Sequence, residues 1–175
     1  MTKFFQPMVA ARAGVEEVKF PALACPKHIG LRCLMVEGIP MSSNMKAVGN
    51  RYVQRKLHGL HGLDGVLVSS DNLMSTKGKP NFTYLIHDLW DYSEALTHRL
   101  DMLAARSQNM GHWADVCRVV RPVTVANEDE LARYLSWCVD RGYPGAMVRS
   151  PAGPYKQGRS TIGEGYCLSV EPVFS

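Results

Sequence analysis

Apolar positions along this chain fall into short runs separated by polar, Gly- and Pro-containing stretches. ALAC at 22–25 and LRCLMV at 31–36 flank the polar segment PKHIG, a strand, turn, strand pattern. GVLVSS at 65–70 and NFTYLIHDLW at 81–90 read as a second strand pair, divided by the polar loop DNLMSTKGKP. Leu96, Leu100 and Leu103 recur at helical spacing and predict an amphipathic helix opened by Ser93. A second helix is predicted from Asn127, which can cap the first turn while Glu130 completes a capping box. Leu131, Tyr134, Leu135 and Cys138 would line its apolar face, and Gly142 would supply the left-handed stop. GAMVRS and YCLSVEPV then read as strands on either side of a loop at 151–163. Strands and helices intersperse without regular alternation, and no repeat or low-complexity segment interrupts them. The fold class is therefore α+β with mainly antiparallel sheets.

Length and composition narrow the class without naming an activity. A chain of 175 residues with 46% hydrophobic and 21% charged positions suits one soluble domain, residues 1–175. No run approaches the roughly 18 apolar residues of a membrane span, and the N-terminus lacks a secretory pattern, so no membrane association and a cytoplasmic location are expected. Five cysteines without a CxxC pair fit reduced thiols.

The net charge of +4 permits contact with phosphate without requiring it. Lys46, Arg51, Arg55 and Lys56 are spaced to lie mostly along one helical face, either as a solvated surface or as a site for nucleic acid or a protein partner. Arg149, Lys156 and Arg159 extend that second possibility. His58 and His61 have metal-like spacing but no further ligands, so no metal site is expected. GPYKQGRS lacks the frame of a phosphate-binding loop.

Taken in order, PKHIGLRCL, SSNMKAVGNR, LDGVLV, NFTYLIHDLWD, PGAMVRSPAGPYKQGRST and EGYCLSVEP resemble the successive motifs of the adenylation domain of small phage and bacterial ATP-dependent DNA ligases, over roughly residues 20–175. The resemblance implies the ligase-type nucleotidyltransferase fold, with antiparallel sheets flanked by helices and a nucleotide groove between them. It places Lys27 at the position of the nucleophile that attacks ATP and Arg32 at the arginine of the same motif. It also implies a degenerate site. Ile29 stands where the first motif has aspartate, Val66 where LDGEL has a ribose-contacting glutamate, and Pro144 where EGVMVR has a metal-associated glutamate. Ser169 and Glu171 replace the two lysines of the last motif, and His87 replaces the aromatic residue before Asp88. No OB domain of the kind that follows in ligases is expected within these residues.

The chemistry of these changes points away from catalysis. Adenylation needs a neutral amine and cations on the phosphates, and a divalent cation needs hard oxygen ligands. The leading expectation is therefore a catalytically inactive ligase-like binding or regulatory module. It would be a phage-encoded inhibitor or decoy that engages a host protein complex, a nucleotide or a nucleic acid, and would use no cofactor. One alternative is a minimal nucleotidyltransferase that self-adenylates on Lys27 with ATP and Mg2+ and relies on a partner. Another is a non-catalytic nucleic-acid binder.

Overall fold

The computed structural model describes residues 5–173. In chain order the elements are β1 (Met8–Val9), β2 (Ala11–Ala13), β3 (Ala22–Pro26), β4 (Leu31–Val36), β5 (Ile39–Met41), α1 (Arg51–Leu57), β6 (Leu63–Val68), β7 (Thr83–Leu89), α2 (Leu96–Ser107), β8 (Cys117–Val119), β9 (Val123–Val125), α3 (Glu128–Asp140), β10 (Ala146–Arg149), β11 (Gly158–Arg159) and β12 (Leu168–Val170). They group into two compact units. One holds the described residues up to His28, Glu94–Thr97 and those from Arg121 onward; the other holds Ile29–Ser93 and His98–Val120.

The first unit is built on a sheet ordered β2-β12-β10-β3-β9, with β1 and β11 forming a separate parallel pair. Strand alternation sends Ala22, Ala24, Ala146, Val148, Leu168 and Val170 to one face, where they are buried. Leu131, Leu135 and Cys138 of α3 complete that core, each buried leucine contributing roughly 1.5–3 kcal/mol. The same alternation directs Cys25, Met147, Arg149 and Ser169 to the opposite face. Asn127 caps α3 as the sequence predicts, its side chain accepting from the Glu130 N–H at 3.0 Å. The returning arm of the box lands one residue early, with the Glu130 carboxylate accepting from Ala126 N at 2.8 Å. Gly142 takes the left-handed conformation at φ 84°.

The second unit carries a sheet ordered β5-β4-β6-β7-β8. Met35, Leu67, Ile86 and Leu103 are among its buried core residues. The β6–β7 pairing steps from Asp64↔Asp88 to Gly65↔Ile86, so His87 is the extra residue of a β-bulge. Gly65 is required beside it, because a Cβ there would run into the carbonyl oxygen of Leu85.

Most antiparallel expectations hold, and GVLV pairs with TYLIHDL as read. The two strands of 22–36 do not pair with each other: β3 lies between β10 and β9, while β4 lies between β5 and β6. The helix expected from Ser93 begins at Leu96, because its first free N–H groups, on Leu96 and Thr97, donate to the carbonyls of Gly153 and Pro151. Among the described residues no helix is long and apolar enough to cross a membrane. Removing the α3 cap by Asn127→Ala should lower the unfolding free energy by about 1 kcal/mol. Urea titration checks this, and an unchanged midpoint would show that the cap contributes nothing.

Candidate functional site

Lys27 follows directly on β3 and Glu171 directly on β12, the two strands that flank β10. In register, Pro26, Ala146 and Val170 lie in one row across the three strands. The next row places Gly145 between Lys27 and Glu171, with Lys27 N donating to Gly145 O at 2.9 Å. Strands two apart in a sheet are about 9–10 Å from each other, a span that two long side chains can close only if nothing rises between them. A Cβ on Gly145 would meet the Val170 carbonyl and lie 3.0 Å from Glu171 Cγ. Over this bare backbone Lys27 Nζ reaches Glu171 Oε1 at 2.5 Å, and Arg12 approaches Oε2 at 3.5 Å. The hydrogen bond and charge of Lys27 hold the Glu171 carboxyl below its ordinary range, so it is ionised at neutral pH. Ser169, one pleat earlier, is buried, and its Oγ has no hydrogen-bond partner among the described residues.

In the second unit, Asp64 and Asp88 stand opposite each other across β6 and β7, a placement that two bare carboxylates would resist. Each is met by a guanidinium fork. Arg32 donates Nε to Asp64 Oδ1 at 2.9 Å and Nη2 to Oδ2 at 2.6 Å. Arg99 donates Nε to Asp88 Oδ1 at 2.7 Å and Nη2 to Oδ2 at 3.1 Å. The Arg99–Asp88 pair is almost wholly enclosed, with side chains 1% and 3% exposed. His87, half-buried on the bulge, follows from the same irregularity. Val66 sits over Gly30, where any Cβ would meet its methyl group and the Leu67 carbonyl. Ile29 is 71% exposed. Pro144, in the first unit, is exposed just before β10.

The cations named from sequence are divided between the two units. Asn50 caps α1 by accepting from the N–H groups of Tyr52 and Val53, so the helix starts at Arg51 and Lys46 lies outside it. Arg51 and Arg55 are exposed one turn apart, and Lys56 lies 5.8 Å from the centre of the Tyr52 ring. In the first unit Arg149 is buried at 6% exposure, which removes its side chain from any surface available to a partner. Lys156 binds both oxygens of Glu164 at 2.9 Å, and Arg159 donates to the Ala10 carbonyl at 3.1 Å. His61 is engaged locally, accepting from Glu37 N at 2.9 Å and facing Asp91 at 3.4 Å. Among the described residues no three His, Cys, Asp or Glu side chains gather as a metal site would require.

Reading the sequence found Lys27, Arg32 and Glu171 but missed their pairings. Arg99 escaped notice, and Asp88 was read without its partner, because a buried ion pair has no short-range sequence signal when its members sit on different elements. The LDG segment did display Asp64, two residues along β6 from Val66, the residue opposite Arg32 once β4 and β6 pair.

No family model matches the sequence, and no curated protein matches it. Solved structures do. The chain superposes on Chlorella virus DNA ligase-adenylate with a TM-score of 0.81 at 25% identity, covering 97% of this chain and 68% of that one. A Lig E DNA ligase matches with a TM-score of 0.77 at 16% identity, over 97% of this chain and 70% of that one. The ATP complex of the bacteriophage T7 ATP-dependent DNA ligase gives 0.68 at 12% identity, over 95% and 68%. The fold is that of the adenylation domain of ATP-dependent DNA ligases.

Two outcomes test these pairings. Asp88→Asn strands the Arg99 charge in the core and should cost about 3–5 kcal/mol in chemical denaturation; a loss within the noise of a surface substitution would contradict the buried pair. Glu171 has a folded-state pKa below its ordinary 4.5, so its contribution is complete above that value and disappears as pH falls through the depressed one. The pair is one-third exposed, so that contribution should stay under about 1 kcal/mol. Glu171→Gln should therefore lower the thermal midpoint slightly at neutral pH and not at all in strong acid. A deficit that grows on acidification would reverse the sign of the linkage.

Proposed function

We propose that this chain is a ligase-fold binding module that does not self-adenylate. The observation that carries the reading is the contact of Lys27 Nζ with Glu171 Oε1 at 2.5 Å. An amine that attacks a phosphorus must present a lone pair, and here the nitrogen is held against a carboxylate instead. The carboxylate beside it also repels a triphosphate where cations are needed. At about 4 Å and an intermediate dielectric, one misplaced unit charge costs several kcal/mol.

ATP and a divalent metal do not fit the residues present. Ile29, Val66 and Pro144 offer no oxygen ligands at the positions where the resemblance expects carboxylates. Asp64, Asp88 and Glu171 are each already engaged by a cation. The apolar framework of the adenylation fold is kept while its polar site is rewritten, which supports retention of the fold for binding. With catalysis set aside, a phage-encoded decoy or inhibitor that engages a host assembly is the use of the kept fold that this reading favours.

A second reading rests on α1. Lys46, Arg51 and Arg55 are exposed with no ion-pair partner among the described residues, which favours contact with a nucleic-acid backbone.

Intact mass after incubation with ATP and magnesium or manganese should stay unchanged. Gain of one AMP, abolished by Lys27→Ala, would establish the enzyme instead. If α1 binds DNA, affinity should fall steeply with salt, the logarithmic slope steepening by about 0.9 for each phosphate neutralised. Replacing Arg51 and Arg55 by alanine should flatten that slope. An unaltered slope would return both residues to the solvated surface.

A further inference from the structure

Beside α2 the second unit is hollowed by a cleft of about 590 Å³, within the range of small-molecule sites. All of its lining residues belong to this unit. Leu63 and Ile86 come from β6 and β7, Leu103 from α2 and Val119 from β8, while Leu60 and Met110 come from connecting segments. These walls are branched aliphatic side chains and one adaptable thioether, with Trp113 adding an indole. Rings prefer to stack on other rings, whereas branched methyl groups present no flat face. An aliphatic chain therefore suits most of this lining.

The charged groups of the lining supply the rest of the chemistry. Asp91 is answered by His61 at 3.4 Å. Glu37 N donates to His61 Nδ1 at 2.9 Å, which puts the ring proton on Nε2, the atom that faces Asp91. Arg106, exposed in the last turn of α2, forms no ion pair among the described residues. Its guanidinium is nonetheless held in place. Nη2 donates to the Tyr92 hydroxyl at 3.2 Å, and Cζ lies 5.6 Å from the centre of that ring. The remaining guanidinium N–H groups and the Tyr92 O–H donate to no other described residue. The rim thus carries fixed donors and an unanswered positive charge. A planar guanidinium can take a carboxylate through two N–H groups at once, and one already immobilised loses less freedom in doing so.

We infer that this cleft binds an aliphatic monocarboxylate, its chain against the leucine-rich walls and its carboxylate on Arg106 at the rim. The inference does not rest on the state of Lys27.

Calorimetric titration of the full chain with octanoate tests this, with octan-1-ol as the uncharged molecule of the same chain and acetate as the charge without it. Octanoate should bind saturably at one site, octan-1-ol more weakly and acetate not measurably. Arg106→Met keeps an apolar stem and removes the charge. It should weaken octanoate roughly tenfold, the effect of one charge-assisted hydrogen bond, and change octan-1-ol by less than about twofold. Met110→Trp should fill the cleft and weaken both ligands by about tenfold or more, with circular dichroism showing that it is folded. If it is not, Ala105→Phe fills the cleft from an exposed position on α2. Failure of the parent chain to bind octanoate saturably would overturn the proposal, as would acetate binding equally well. So would equal weakening of octanoate and octan-1-ol by Arg106→Met, or octanoate binding that Arg106→Met or a folded cleft-filling variant leaves intact.

Discussion

The first unit turns on a bare backbone position. Gly145, immediately before β10, lies in the row between Lys27 and Glu171, and because it has no side chain the two can meet across it. Everything distinctive about this face follows from that crossing. The lysine is held by a carboxylate, the carboxylate is steadied by Arg12 at its other oxygen, and the ammonium is directed into the sheet's own charge pattern. Any side chain at position 145 would separate the pair and disturb the β10–β12 pairing at once.

The second unit solves a similar problem with stronger geometry. Its bulged β6–β7 ladder brings two aspartates face to face, a conflict removed only because each receives its own bidentate arginine. The Arg99–Asp88 fork is enclosed, so its loss leaves a charge that water cannot reach. Arg32–Asp64 is more open and holds β4 to β6 beside the bulge. In both units, carboxylates of the kind that hold a metal or a sugar are instead committed to intramolecular cations. That commitment is the physical content of the non-catalytic reading.

Much of this was legible from the residues alone. Long apolar runs fixed β3, β4, β6, β7 and β10, and the Asn127 cap, the 131–138 face and the Gly142 stop outlined α3 nearly to its ends. Two- and three-residue strands such as β2, β8 and β9 were not legible, because they are too short to show an alternation and exist through their neighbours in the sheet. Partners were equally hidden. Charge pattern placed Lys46 with Arg51 and Arg55, but the Asn50 cap starts the helix after Lys46. Arg149 read as a candidate contact for nucleic acid or a partner and is buried, since alternation along a strand does not by itself say which face meets water. Lys27 and Glu171 were both singled out, yet their contact needed the register through Gly145, which no local motif encodes.

Calorimetric titration with ATP and magnesium, comparing the parent chain with the double variant Ser169→Lys, Glu171→Lys, tests most directly whether the carboxylate at Lys27 silences the site. Both proteins should first be shown to be folded. The account expects no saturable heat from the parent and measurable binding by the variant, in which one carboxylate is removed and two cations are added. Saturable ATP binding by the parent, or a folded variant that binds no better, would contradict it.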